Sequence, residues 1–579
     1  MSMNQPPASQ QIPLHNPQAR EEANQVARRL AMNALPPLLL NSQAAVTYQS
    51  RGHLLIIAPE DLGRLVAAQV QQVASITLLA QGEVTSQDEA HLEKALAAAP
   101  NLQPIYLPLQ QLSGWLGAFQ LQVRTPQGEI LDLAEALIGQ PFFDLVLDLS
   151  AIPCLKAELS PPGYFHVAAD QQSLHQALNE IAELTGEFDK PIYVQVNHDL
   201  CAHADRGKMG CTRCLDVCPA DALSSHNRTD SHDFIIEVDT HLCHGAGSCT
   251  TACPTGALSF QLPQPKHQLQ RLSDYLLQYR RLGGEAPVLL IHAESTPLNL
   301  EQLPGQLLPW AQEEAATLGI EIWMSALALG SSAVGILIDA STPESLRQLL
   351  TREVESAQAL LQALGHATQR IQLLEQEVLT ESLPSVLTSL QHPSLDVAES
   401  LIYDGKRSLL NQALDHLYEQ GNPVAEPVSL PAKSPYGQVL LDSDACTLCM
   451  SCVAICPTQA LRNPDPAQPL LSFIEGDCVQ CGLCQSACPE KAIRLEARFA
   501  PAAGVRAEPR TLKEEEPFHC IQCGVPFATR STIDKILGKL QDHAYFQGEA
   551  AKRLQMCGDC RVRDTYRELA LDPEAQLRL

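Results

Sequence analysis

The chain has 579 residues, enough for roughly three to five domains, and its 45% apolar content supports ordinary packed cores. Its formal charge of −27 argues against nucleic acid or anionic lipid as the main partner and fits docking onto a basic patch of a partner protein. No apolar run is long enough to span a bilayer. The 20 cysteines recur as C-x2-C, which points to metal and a reducing, cytoplasmic setting rather than to disulfides.

Residues 1–45 are rich in Gln, Asn, Pro and Ala and read as a flexible lead-in. Arg28 and Arg29 before LAMNALPPLLL have a faint twin-arginine look. Asn33, Pro36 and Pro37 interrupt that run, and Glu21 and Glu22 stand upstream, so cytoplasmic remains the expectation. Residues 46–197 read as an α/β domain: HLLIIAP a strand, LGRLVAAQVQQV a helix, SITLLAQ and FFDLVLDLS strands. A first ferredoxin-like module is expected over 198–262. The α/β alternation returns over 263–420, with VLLIHA a strand, PWAQEEAATLG a helix ended by Gly319, and IEIWM and VGILIDA strands. A long helix then starts with Thr342 as cap and Pro343 in its first turn. Residues 421–439 read as a Pro-rich linker, 440–497 as a second ferredoxin-like module, and 498–579 as a linker and metal-knuckle tail. The fold class is therefore α/β plus α+β. The two α/β stretches form either one split domain or two.

The second module carries the clearest chemistry. CTLCMSCVAICP and CVQCGLCQSACP each read C-x2-C-x2-C-x3-C-P, the bacterial two-cluster spacing. Three thiolates of each run converge on one cubane, and the fourth is carried to the other. This assigns one [4Fe–4S] to Cys446, Cys449, Cys452 and Cys488, and another to Cys478, Cys481, Cys484 and Cys456.

The first module departs from the pattern twice. In CAHADRGKMGCTRCLDVCP the first ligand position holds Lys208, and Cys201 is the thiol that reaches back over the loop ending at Gly210. In CHGAGSCTTACP the second position holds Ala246, which has no ligand atom. Crossed ligation then gives a third [4Fe–4S] at Cys201, Cys211, Cys214 and Cys253. It leaves three thiols, Cys243, Cys249 and Cys218, for a [3Fe–4S] or a labile [4Fe–4S] with water, hydroxide or His244 at the odd iron. An empty site is the remaining alternative.

In the tail, Cys520-x2-Cys523 and Cys557-x2-Cys560 flank a helix, STIDKILGKL, capped by Ser531. Four thiolates in two knuckles suit structural Zn2+; a further Fe–S centre and redox-active thiol pairs are the alternatives. Cys154 reads as an inert buried thiol. His198, His203, His226, His232, His241 and His244 lack ligand spacing and read as solvated loop residues. No phosphate-binding glycine fingerprint is present: APEDLG puts Glu60 and Asp61 where a pyrophosphate would sit, and LGSSAVG precedes a strand rather than a helix. The α/β parts thus read as scaffold, with a flavin or nicotinamide site as the alternative. No catalytic constellation stands out.

These motifs, together with FFDLVLDLS followed by PPGYF, and EEEPFHCIQCGVPF with MCGDCRV, resemble a family of large bacterial 4Fe-4S binding ferredoxin-like proteins often encoded beside formate dehydrogenase components. The resemblance spans nearly the full length. It implies an electron-transfer protein exchanging single electrons with a formate dehydrogenase or similar oxidoreductase, more a subunit or partner than a stand-alone enzyme. The family's second run has a cysteine where this chain has Ala246. Two other functions stay open: a cluster-handling or maturation factor using the labile iron, and a flavin-binding oxidoreductase subunit.

Overall fold

The computed structural model describes residues 17–36, 44–167, 170–204, 207–227, 233–465 and 468–571. The α/β stretches build two separate parallel sheets. The first has five strands, in the order Pro104–Ile105, Ser75–Ala80, His53–Ala58, Leu145–Asp148, Tyr164–His166. Its central strands are buried because both faces are covered, which is why HLLIIA shows no alternation. One face lies under the helices Glu60–Ala67 and Gln171–Glu183. The other lies under a small antiparallel sheet (Leu109–Ser113, Gln120–Arg124, Ile130–Asp132) with the short helix Leu133–Ile138. The helix expected from LGRLVAAQVQQV is shorter and earlier, Glu60–Ala67.

The second sheet has four strands, in the order Leu307–Gln312, Val288–Ala293, Ala333–Ile338, Ile371–Glu375, all parallel. Two expectations are reversed here. LLPWAQ is a strand, not a helix, and IEIWM opens the helix Ile320–Ala328, not a strand. The helix is buried on every side, with Trp323 and Met324 at 0% exposure, so its sequence carries no 3.6-residue period. Pro309 is tolerated in its strand because that strand lies at the sheet edge. Each fully buried Leu or Ile in this core stabilises by about 1.5–3 kcal/mol. The long helix is present as Glu344–Ala363, with no side-chain cap; the Thr342 hydroxyl instead accepts from the Asp339 N–H at 3.1 Å.

The N-terminal lead-in also needs correction. Pro17–Ala34 is a helix packed on Pro265–Arg281, with Ala27 and Ala31 in the core of the second α/β unit. Arg28 is buried and donates to the carbonyls of Leu300, Leu303, Pro304 and Leu307 at 2.6–3.3 Å, so Arg28 serves the fold at this position, while Arg29 is exposed. Residues 498–516 are likewise no plain linker: Ala503–Ala507 is helical, and Arg510–Glu514 pairs with Leu470–Phe473 of the second module. Among the described residues no helix is long and apolar enough to cross a membrane.

Candidate iron–sulfur sites

The two ferredoxin modules repeat one backbone plan. In the first, Val194–Val196 pairs with Leu258–Phe260 and Leu223–Asn227 with Phe234–Val238. In the second, Gly437–Leu441 pairs with Ile493–Phe499 and Leu461–Arg462 with Leu470–Phe473. Each Cys-x3-Cys-Pro step is a short helix whose C-cap is the last cysteine, in extended conformation: Cys218, Cys253, Cys456 and Cys488. The following proline stops the helix, having no N–H to continue it. Three residues after each of these cysteines the chain takes a left-handed turn, at Asp221, Gly256, Gln459 and Lys491. That turn aims the next N–H at sulfur: Ala222 donates to Cys218 Sγ and Ala492 to Cys488 Sγ, each at 3.3 Å. Leu448 does the same for Cys446 Sγ at 3.4 Å.

Cys446, Cys449, Cys452 and Cys488 line one cavity, and Cys456, Cys478, Cys481 and Cys484 line another. In the first module Cys214 lies within electrostatic reach of Cys253, Cys211 and Cys201, and Cys249 is affected most by Cys243 and Cys218, then by Cys214 and Cys253. Burial pushes the Cys452 and Cys481 thiols up to about 12, and those of Cys214, Cys249 and Cys484 well up too. Thiolates at such places need cations beside them. Sulfur-directed N–H groups around thiol-lined cavities are the donor chemistry that iron–sulfur clusters require.

The departures in the first module have a structural basis. The Cys211 N–H donates to Ala202 O at 3.1 Å, which folds the Cys201 end onto the run. A Cβ at Gly210 would fall on that same carbonyl, so only glycine allows the close approach. Lys208 turns away, and its Nζ donates to Ser486 O of the second module at 2.8 Å. Around Ala246 the ligand loop keeps its left-handed glycines, Gly245 and Gly247. A Cβ on Gly245 would sit 2.7 Å from the Tyr193 ring, and one on Gly247 would strike Thr317. Ala246 itself is 8% exposed, in the same core as Ala315 and Ala316. The corner lacking a thiol is therefore walled by protein.

In the tail, the sulfurs of Cys520, Cys523, Cys557 and Cys560 all lie within 4.8 Å of one another. The Cys557 N–H donates to Cys520 Sγ at 3.3 Å. Burial raises the Cys520 thiol, but N–H donors from Cys557, Cys523 and Gln522 outweigh it and hold the thiol below its ordinary value. The helix between the knuckles, Arg530–Leu540, is capped by Thr529, not Ser531: the Thr529 hydroxyl accepts from the Thr532 N–H at 3.1 Å. Thr529 and Thr532 both donate to Thr447 O, at 2.9 and 2.7 Å, and so seat the tail on the Cys446–Cys449 loop.

The histidine expectation fails in part. His203 is fully buried, with Nε2 2.8 Å from Ser225 Oγ, and His241 stacks on Trp115 at 4.6 Å. His244 has its Nε2 buried without a partner. His226 is exposed, and His232 lies outside the described residues. Burial and the Asp148 carboxylate push the Cys154 thiol up to about 11, so it stays protonated at neutral pH.

Residues 209–257 match a family model described as a 4Fe-4S dicluster domain, and residues 445–493 match a second model of the same description. The chain thus carries two ferredoxin-type dicluster domains, which point to an iron–sulfur electron-transfer role. The first match begins at Met209, so Cys201 lies outside it. No curated protein gives a significant match to the chain.

Proposed function

We propose that the chain is a one-electron relay holding four iron–sulfur centres in a single path. The order is Cys218, Cys243 and Cys249; then Cys201, Cys211, Cys214 and Cys253; then Cys456, Cys478, Cys481 and Cys484; then Cys446, Cys449, Cys452 and Cys488. The observation that carries this reading is the meeting of the modules: the Cys481 thiol lies within electrostatic reach of Cys211, beside the Lys208–Ser486 bond. Cys449 is exposed and Cys249 buried, so the open end of the path lies at Cys449. Three sites are read as [4Fe–4S] and the site at Ala246 as [3Fe–4S]. Such centres supply reversible one-electron transfer at potentials set by charge, hydrogen bonds to sulfur and burial. The tail thiols are read as a Zn2+ staple, since that unit has only a small core of Cys520, Met556 and Cys560.

The partner is read as a formate dehydrogenase or similar oxidoreductase, on the resemblance alone. Two observations weigh against the other readings. A cluster-transfer role needs a reachable iron, and Ala246 is buried. A flavin or dinucleotide would sit at the carboxyl ends of a parallel sheet. There Glu294, Glu313 and Asp339 directly follow three strands of the second sheet and would repel its phosphates.

The test is anaerobic purification with iron and sulfide analysis, a redox titration followed by magnetic resonance, and capture of the tagged chain from its native cell. The relay predicts about 15 iron atoms per chain, reversible one-electron signals, and recovery of an oxidoreductase subunit. Full iron content without a titrating centre, or recovery of cluster-assembly proteins instead, would overturn it.

A further inference from the structure

Three of the four cysteine runs share a feature outside their own sequence. The carbonyl of the first cysteine accepts a hydrogen bond from a cation delivered by another part of the chain. Lys190, on the strand Gly186–Pro191, donates to Cys243 O at 3.0 Å. Lys513, on the strand Arg510–Glu514, donates to Cys446 O at 2.6 Å. Arg407, in the first turn of the helix Lys406–Gln420, donates to Cys478 O at 2.7 Å. In a chain of net charge −27 this placement of positive charge is not a compositional accident.

Arg407 differs from the other two in position, and from Lys513 in compensation. Its neighbour Lys406 donates to Thr250 O and Thr251 O of the first module at 2.7 and 2.8 Å. Two successive residues therefore bond to the two modules, and the helix start straddles their junction. Lys513 is paired with Glu515 at 2.6 Å. Among the described residues no carboxylate lies within ion-pair distance of Arg407, whose guanidinium also donates to Pro435 O at 2.5 Å and covers the Tyr436 ring at 4.6 Å. A guanidinium stays charged even where burial pulls on it. Asp477 lies within its electrostatic reach, but that carboxylate is paired with Arg462 at 2.9 Å. The field of Arg407 is therefore only partly compensated, in a low-dielectric place where charge interactions are strongest.

We infer that Arg407 is a positioning residue that raises the reduction potential of the site at Cys456, Cys478, Cys481 and Cys484, and so eases the passage of an electron between the modules. This rests on the relay reading. On reduction one electron enters from an external donor, no bond is made or broken, and the site gains one negative charge. The fixed positive charge of Arg407 stabilises that reduced form.

The test is a magnetic-resonance redox titration of the full iron-loaded chain, with dithionite as reductant, in wild type, Arg407→Gln, Arg407→Lys and Lys513→Gln. In Arg407→Gln the reduced-to-oxidised ratio of one centre should fall about tenfold at fixed poise, about 59 mV downward for one electron. Arg407→Lys keeps the charge and Lys513→Gln removes a compensated one, so both should stay within about threefold of wild type. Arg407→His puts the comparison inside one variant: its centre should gain a pH-dependent potential that wild type lacks. Centres that titrate but do not move in Arg407→Gln or Arg407→His would overturn this inference and leave the relay standing. A Lys variant shifted as far as the Gln variant would overturn it too. Absence of any titrating centre would remove both.

Discussion

The two ferredoxin modules share a backbone plan but not a setting. The second keeps both complete runs and leaves Cys449 exposed. The first is pressed between the two α/β units, has Ala246 in place of one thiol, and on the relay reading takes another from Cys201 outside the run. The same left-handed turns follow all four Cys-Pro helices. Ligand identity and solvent access can therefore vary while the scaffold holds its shape. On the relay reading, the module with a three-thiol site is the one enclosed by protein, which would keep that site out of reach of exchange.

The largest effect should come from Gly210→Ala. The added methyl meets the Ala202 carbonyl, a backbone atom that cannot swing aside, so the loop carrying Cys201 must move. Overpacking of this kind costs about 3 kcal/mol, and the expected result is loss of the centre at Cys201, Cys211, Cys214 and Cys253. Gly482→Ala in the second module is the matched control. Its φ is +83°, with nothing near the new methyl, so only the left-handed cost of about 1 kcal/mol applies. Iron content and thermal midpoint of the two variants check this; equal losses would mean that Cys201 is no ligand.

An intermediate effect is expected from exchanging the Ala246 feature between modules. Cys449, like Ala246, stands at the second position of its run, though in the run whose counterpart in the first module holds Cys211. Cys449→Ala should create a second three-iron signal, and ferrous iron with dithionite as the one-electron reductant should convert it back because that corner is open. The first module's three-iron signal should resist the same treatment, because Tyr193 and Thr317 wall it in. Ala246→Cys should abolish that signal. Equal reloading of both corners would separate lability from burial and undo the comparison.

Much of this was legible in sequence, for a local reason. Cluster ligands must lie a few residues apart, so Cys446, Cys449 and Cys452 announce themselves, and the family matches cover the runs that spacing singled out. Strands such as VLLIHA were legible from length and β-branching. What failed depended on tertiary context. IEIWM is enriched in strand formers yet helical, because a helix buried on all sides loses its period. The Gln-rich N-terminus reads as disordered by composition, but its Ala27 and Ala31 stripe finds a core supplied by residues far along the chain. Arg407 was invisible for the same reason: its role comes from a carbonyl at Cys478, which local sequence cannot reveal.

The smallest predicted effect concerns the wall that separates the two settings. Burial, with Asp339 and Glu313 nearby, pushes the Glu314 carboxyl from 4.5 up to about 7. Glu314 starts the segment that carries Thr317 against Gly247, and Ala316 O accepts from the Thr251 hydroxyl at 2.7 Å. A carboxyl raised by folding binds a proton that the unfolded chain releases, so its contribution is full below about pH 4.5 and is lost as pH rises through about 7. The thermal midpoint of the wild type should fall across that window, and Glu314→Gln, neutral throughout, should lose that part of the slope. The three-iron centre should become more exchangeable at pH 8 than at pH 6 in wild type only. Parallel curves for the two proteins would show that the wall is held by packing alone and that Glu314 does not couple pH to the enclosed module.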